Sequence, residues 1–193
     1  MDIKWKAGRE EDFLIFIENI EEKDRVALIS HTDCDGVISA KIVAQVVDYS
    51  LLKFAEYTEI NNELVQELND KRITKVIFTD LAVDDFSVIK DISKFAEVLV
   101  IDHHIFAEDF NSDRIVFMNS QGECTAYLCY EFFNKIYDLE KFDWLVAEAC
   151  VADWQYFNNQ KFMKKTFAKY DDRFEIVDGI IRKSGKFWDF QWN

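Results

Sequence analysis

The 193-residue sequence contains no proline and only 5 glycines, where average usage would give roughly 10 and 14. Collagen-like, Pro-rich and low-complexity architectures are therefore excluded, and no Gly/Pro-rich interdomain linker is visible. The four cysteines, Cys34, Cys124, Cys129 and Cys150, include no C-x-x-C pair and no disulfide-like density. They read as reduced thiols. No apolar run approaches the roughly 18 residues that a membrane helix needs. Met1-Asp2-Ile3-Lys4-Trp5 leads into a charged segment and not into an apolar signal region. A cytoplasmic protein without a membrane partner is expected. Basic residues are also scarce: 23 Lys and Arg stand against 37 Asp and Glu, a net charge of −14. Such a chain is a poor generic binder of polyanions and anionic membranes, but it is compatible with binding cations.

What is present supports a full core. Apolar residues make up 49% and aromatics 16%, with 18 phenylalanines. The length fits one domain of ordinary size or a core with an appendage. Residues 155–193 run against the acidic trend, with eight basic and five acidic residues, a net +3 that leaves −17 on residues 1–154. The division expected is 1–155 as a catalytic α/β domain and 156–193 as its C-terminal helical extension or the start of a second domain.

Four continuous apolar runs rich in β-branched residues stand out: Val26–Ile29, Val76–Phe78, Val98–Ile101 and Ile115–Met118. Continuous runs suit strands buried on both faces of a parallel sheet. A weaker run, Leu52–Tyr57, reads as an edge strand. Segments with helical spacing lie between them, at Gly36–Asp48, Asn62–Lys71 and Asp84–Ser93, with Asp84 and Asp85 as capping residues. After residue 120 the pattern reads as helical throughout, most clearly at Gln121–Tyr137 and Glu140–Trp154. The expected fold is α/β, a doubly wound, mainly parallel five-stranded sheet with helices on both faces and an all-helical C-terminal part.

The polar residues fall on this frame in a pattern. The first strand runs into His31, Asp33 and Asp35, whose spacing of two puts them on one face of an extended segment. The second ends at Asp80 and the third at Asp102-His103-His104. Three strands thus deliver Asp or His at their carboxyl ends, the edge where open α/β sheets bind ligands. Asp153 follows a very apolar helix, where a carboxylate must be solvated, paired or bound to a cation. All three histidines of the chain belong to this set. So many ligands exceed the needs of one ion but suit two. Oxygen and imidazole donors fit manganese, and also magnesium, iron or zinc.

His31-x-Asp33-x-Asp35-Gly36 with Ser39-Ala40 resembles the first motif of the DHH phosphoesterases, and Phe78-Thr79-Asp80-Leu81 the second. Asp102-His103-His104 is similar to the motif that names that family, and Asp153 sits where its fourth, Asp-bearing motif is expected. Gly122-Glu123-Cys124-Thr125-Ala126 resembles the small-residue helix start after its last strand. The resemblance covers residues 25–155 or so. It implies a five-stranded parallel sheet, a dinuclear manganese site and hydrolysis of phosphodiesters by an activated water. It assigns His31 and Asp33 to one ion, Asp35, His103 and Asp153 to the other, and Asp80 to both. His104 would face the phosphate and Asp102 would orient the histidines. Implied substrates are single-stranded DNA or RNA or short oligonucleotides. Two departures stand out. The first-motif histidine lies two residues before the first aspartate, whereas some relatives have it four before. The Gly-Gly-Gly-His motif of the family's further domain is also missing. Phe187-Trp188-Asp189-Phe190-Gln191-Trp192 offers a docking edge for a second domain or a protein partner.

Rival readings remain open at the level of sequence. An EF-hand is excluded, because Gly36 at loop position six would put Ile42 at position twelve. Asp33-Cys34-Asp35-Gly36-Val37 also fits a haloacid-dehalogenase-like phosphatase with Asp33 as nucleophile, which leaves the histidines without roles. A catalytically inactive DHH-type subunit of a replication or repair complex is the third reading. Lys161, Lys164, Lys165 and Lys169 read as a solvated helix face, and Cys124 and Cys129 as core thiols.

Overall fold

The computed structural model describes residues 3–82, 86–170, 173–177 and 180–184. Five parallel strands form the central sheet: β1 (Val26–Ser30), β2 (Leu51–Phe54), β3 (Lys75–Thr79), β4 (Glu97–Asp102) and β5 (Ile115–Asn119). Their order is β2-β1-β3-β4-β5, with β2 at the edge, so the chain reverses its direction of winding between β1 and β3. That junction is where a doubly wound sheet opens a crevice at its carboxyl edge.

Alternate residues of each strand feed two separate cores. Leu28, Ile77, Leu99 and Met118 pack with α1 (Glu10–Glu18), α2 (Cys34–Val43), α5 (Thr125–Phe133), α6 (Asp143–Ala152) and α7 (Gln160–Lys169). Ile29, Phe78, Val100 and Phe117 face α3 (Asn62–Asp70) and α4 (Phe86–Ser93) on the other side. Both faces being covered explains why the strand runs are continuous and not alternating. Cys124, Cys129 and Cys150 lie in the first core as free thiols.

The four strong strands, the edge strand and the five helices of the sequence reading are all present; each strong strand runs one or two residues beyond its apolar run, and α2 starts two residues early and ends at Val43. The edge strand stops at Phe54 because Glu56 and Glu59 form a capping box around a 3₁₀ turn at Tyr57–Glu59. Two elements depart from expectation. Helix α1 occupies what reads as a charged start, and it buries Phe13 and Phe16 against the core. The C-terminal part is not all helical: β6 (Arg173–Val177) and β7 (Ile180–Ser184) pair as an antiparallel hairpin, Val177 opposite Ile180. The physical cause is legible in retrospect. β-Branched Ile176, Val177, Ile180 and Ile181 flank Asp178-Gly179, a two-residue hairpin signal that outweighs helical spacing. Lys169 is likewise more than a solvated face residue, since its Nζ lies 2.9 Å from buried Asp143 and so ties α7 to α6. Asp84, Asp85 and the aromatic stretch 187–192 lie outside the described residues. No helix among the described residues is long and apolar enough to cross a membrane.

Candidate metal centre

Each strand end contributes for a local reason. After β1, Asp33 caps α2 by accepting the Gly36 N–H at 2.9 Å. Gly36 is required there, because a Cβ would lie 2.4 Å from the His31 carbonyl oxygen. Asp35 in the first turn of α2 is fully buried, and its two oxygens accept the N–H groups of Thr125 and Ala126, each at 2.8 Å, at the start of α5. Asp80 ends β3 with φ of 59°, a left-handed conformation that strains a non-glycine residue. It is held by the Thr125 hydroxyl at 3.1 Å and by its own N–H on Ile101 O at 3.1 Å. Asp102 ends β4 and grips His104 twice, through Nδ1 at 2.8 Å and the backbone N–H at 3.1 Å. Asp153 stands at the carboxyl end of α6, where the helix dipole disfavours a carboxylate.

These residues converge. His103 Nε2 lies 3.4 Å from Asp80 Oδ1, 3.5 Å from Asp153 Oδ2 and 3.9 Å from Asp35 Oδ2. His31 Nδ1 lies 3.0 Å from Asp33 Oδ2 and 3.8 Å from Asp80 Oδ2. His31 Nδ1, His103 Nε2 and Asp153 Oδ2 are buried yet make no hydrogen bond. Among the described residues, three groups have donor atoms close enough to share an ion: His31, Asp33 and Asp80; Asp35, His103 and Asp153; and Asp80, His103 and His104. Asp80 belongs to two of them. Every site residue singled out in the sequence is at this one edge. Cys34 is not part of the donor set; burial and the charges of Glu148, Asp35 and Asp33 hold its thiol up at about 11.

The electrostatics fit a cation. Burial, and then the neighbouring charge of Asp80, push Asp35 well above the usual carboxylate range. Burial, followed by Asp33 and Asp102, pushes Asp80 up to about 8. Asp153 is also raised, first by burial. For His104, burial alone would lower the pKa, but the Asp102 hydrogen bond and charge, with Asp80 and Asp153, lift it to about 9. Orphaned buried nitrogens surrounded by uncompensated carboxylates are the donor set that divalent ions with oxygen and imidazole ligands require.

Sequence reasoning passed over three neighbours. Glu56 Oε2 lies 3.5 Å from His31 Nε2. The Tyr57 ring stacks on His31, 4.5 Å between centroids and 10° from parallel, and its hydroxyl is 3.4 Å from His104 Nε2. Trp154, beside Asp153, is 74% exposed with φ of 58°. Trp154 could have been found by its adjacency to Asp153. Glu56 and Tyr57 carry no local signal, since only the alignment of β2 beside β1 brings them here.

Comparison with curated protein sequences finds no match. Among solved structures, the chain is similar to exonuclease RecJ bound to manganese, with a TM-score of 0.65, 16% identity, and coverage of 88% of this chain and 49% of that one. It is also similar to RecJ in complex with Mn²⁺ from Thermus thermophilus, with TM-score 0.58, 15% identity, and coverage of 83% and 26%. CDC45 from Entamoeba histolytica gives TM-score 0.60, 16% identity, and coverage of 81% and 37%. The chain thus spans about half or less of the length of these proteins, and the likeness is one of fold. Residues 25–153, from the start of β1 to the last carboxylate of the cluster, match the DHH family N-terminal domain, and the chain belongs to the DHH family.

Proposed function

We propose that the chain is a divalent-metal-dependent phosphodiesterase acting on single-stranded nucleic acid or short oligonucleotides, with manganese as the preferred ion. The observation that carries this reading is the pair of buried, unpartnered nitrogens, His31 Nδ1 and His103 Nε2, aimed into carboxylates that share Asp80. His31 and Asp33 would hold one ion, Asp35, His103 and Asp153 the other, and Asp80 both. Bound ions of this kind supply Lewis-acid activation of water and neutralise phosphate charge.

The chain's own groups do the remainder. Thr125 and Ala126 fix the Asp35 carboxylate through their N–H groups, and the Thr125 hydroxyl fixes Asp80. Asp102 orients His104 and favours its protonated form, so that the ring meets the negative charge that builds on the phosphoryl oxygens. The exposed face of Trp154 beside Asp153 offers a surface on which a base of the substrate stacks. The net charge of −14 argues against a tight grip on a long polyanion by this chain alone, so short oligonucleotides should be cut at least as well as long strands.

A manganese-dependent hydrolysis panel over long single strands, short oligonucleotides, cyclic dinucleotides and pyrophosphate tests the proposal. Cleavage of short oligonucleotides supports it; pyrophosphate as the sole substrate overturns the nucleic-acid part. Metal binding with no hydrolysis of any of the four would favour the inactive-subunit reading, to which the fold likeness with CDC45 lends support. The dehalogenase-like reading gains nothing from the family match and leaves three histidines unused.

A further inference from the structure

Resting on that reading of the metal centre, we infer that Glu56 is the positioning residue of His31. With an ion held beside Asp33 and Asp80, it would accept the hydrogen bond of the Nε2 N–H and leave the Nδ1 lone pair for that ion. A neutral imidazole carries one N–H, and which nitrogen bears it is set by the partner of the other. At His31 the two nitrogens see different surroundings. Nδ1 is buried between two carboxylates and makes no hydrogen bond. Nε2 faces Glu56 Oε2 at 3.5 Å. A carboxylate behind a ligating imidazole fixes its tautomer and ring orientation and raises its basicity.

The contact of Glu56 with His31 contributes position and not stability. The Glu56 side chain is 58% exposed, where an ion pair contributes little to folding. Yet it is held from three sides. Ala55, fully buried, anchors the chain by donating its N–H to Ser30 O at 2.9 Å. The Glu56 N–H donates to Glu59 Oε2 at 2.7 Å within the capping box. The Thr32 hydroxyl donates to Glu56 Oε1, and the same carboxylate caps the backbone N–H of Glu59. Tyr57 then covers one face of the imidazole, so the ring cannot swing away from the carboxylates.

The test uses the full chain and the variants Glu56→Ala and Glu56→Gln, with two readouts. Long-range proton–nitrogen correlation of the histidine rings in the protein loaded with zinc, a diamagnetic ion, reports the tautomer. The unaltered chain should show His31 protonated at Nε2, Glu56→Ala should lose that preference, and Glu56→Gln, which keeps an acceptor, should retain most of it. Manganese calorimetry should show one ion bound about 10–100-fold more weakly in Glu56→Ala, with partial recovery in Glu56→Gln. An unchanged tautomer and an unchanged isotherm in Glu56→Ala would overturn the inference. Complete loss of one ion in both variants would also overturn it, since Glu56 would then be a ligand. If the unaltered chain binds neither manganese nor zinc, the proposed function fails and the inference falls with it; ions that bind as expected but do not respond to Glu56→Ala overturn the inference alone.

Discussion

The two edges of the central sheet treat charge in opposite ways. At the amino edge, Lys75 at the start of β3 is 4% exposed, and its Nζ sits 2.6 Å from Glu97 at the start of β4. Close by, the Arg25 guanidinium donates to Lys71 O and the Thr74 hydroxyl donates to Asp24. Charges there have partners that hold the strands in register. At the carboxyl edge, Asp33, Asp35, Asp80, Asp102 and Asp153 gather around three histidines, and no lysine or arginine among the described residues forms an ion pair with them. One backbone architecture thus supports a compensated edge that contributes stability and an uncompensated edge that calls for a cation from outside. The difference is the ground on which the function is proposed for the carboxyl edge.

The comparison can be broken most completely at Asp80. Asp80→Ala should take hydrolysis below detection while the chain stays folded, checked by turnover of a short oligonucleotide and by circular dichroism. At the same edge, His104→Ala should lower kcat by about 10²–10³-fold, the cost of losing one preorganised charge-stabilising donor. Manganese content by elemental analysis should stay unchanged, because the proposed partner of His104 is the phosphate.

Adding a divalent cation should separate the two edges further. Manganese at a hundred times its Kd should stabilise the unaltered chain by about 2.7 kcal/mol, and Asp80→Asn by much less, read from thermal unfolding. Trp154→Ala should raise KM for a dinucleotide in line with the loss of about 1–3 kcal/mol of base stacking, with kcat little changed. The amino edge should answer differently. Glu97→Ala leaves the buried Lys75 ammonium unpaired; with Glu97 itself half exposed, the cost should be about 1–2 kcal/mol of stability in denaturant titration. Activity per folded molecule should not change.

Much of this contrast was visible before any coordinates. His31, Asp33, Asp35, Asp80, Asp102, His103, His104 and Asp153 could be named because each sits at a strand or helix end, and apolar runs mark such ends well. Helix α1 escaped notice because Glu10, Glu11 and Asp12 obscure the apolar stripe that begins at Phe13. The β6–β7 hairpin escaped because a lysine-rich helical segment precedes it, although Asp178-Gly179 between β-branched pairs was a fair signal.

By itself, the sequence determined the alternation of strand and helix, the parallel sheet, the edge at which the chemistry lies and the residue types gathered there. Those follow from periodicity and from the rule that strand carboxyl ends share one edge. Only the tertiary structure decided which donor faces which. That Asp102 grips His104, that His103 stands among Asp35, Asp80 and Asp153, and that Glu56 and Tyr57 reach His31 from β2 all depend on strand order and register. The reason is physical: a contact of a few ångströms between segments far apart in the chain is set by packing across the whole sheet, and no local pattern of residues encodes it.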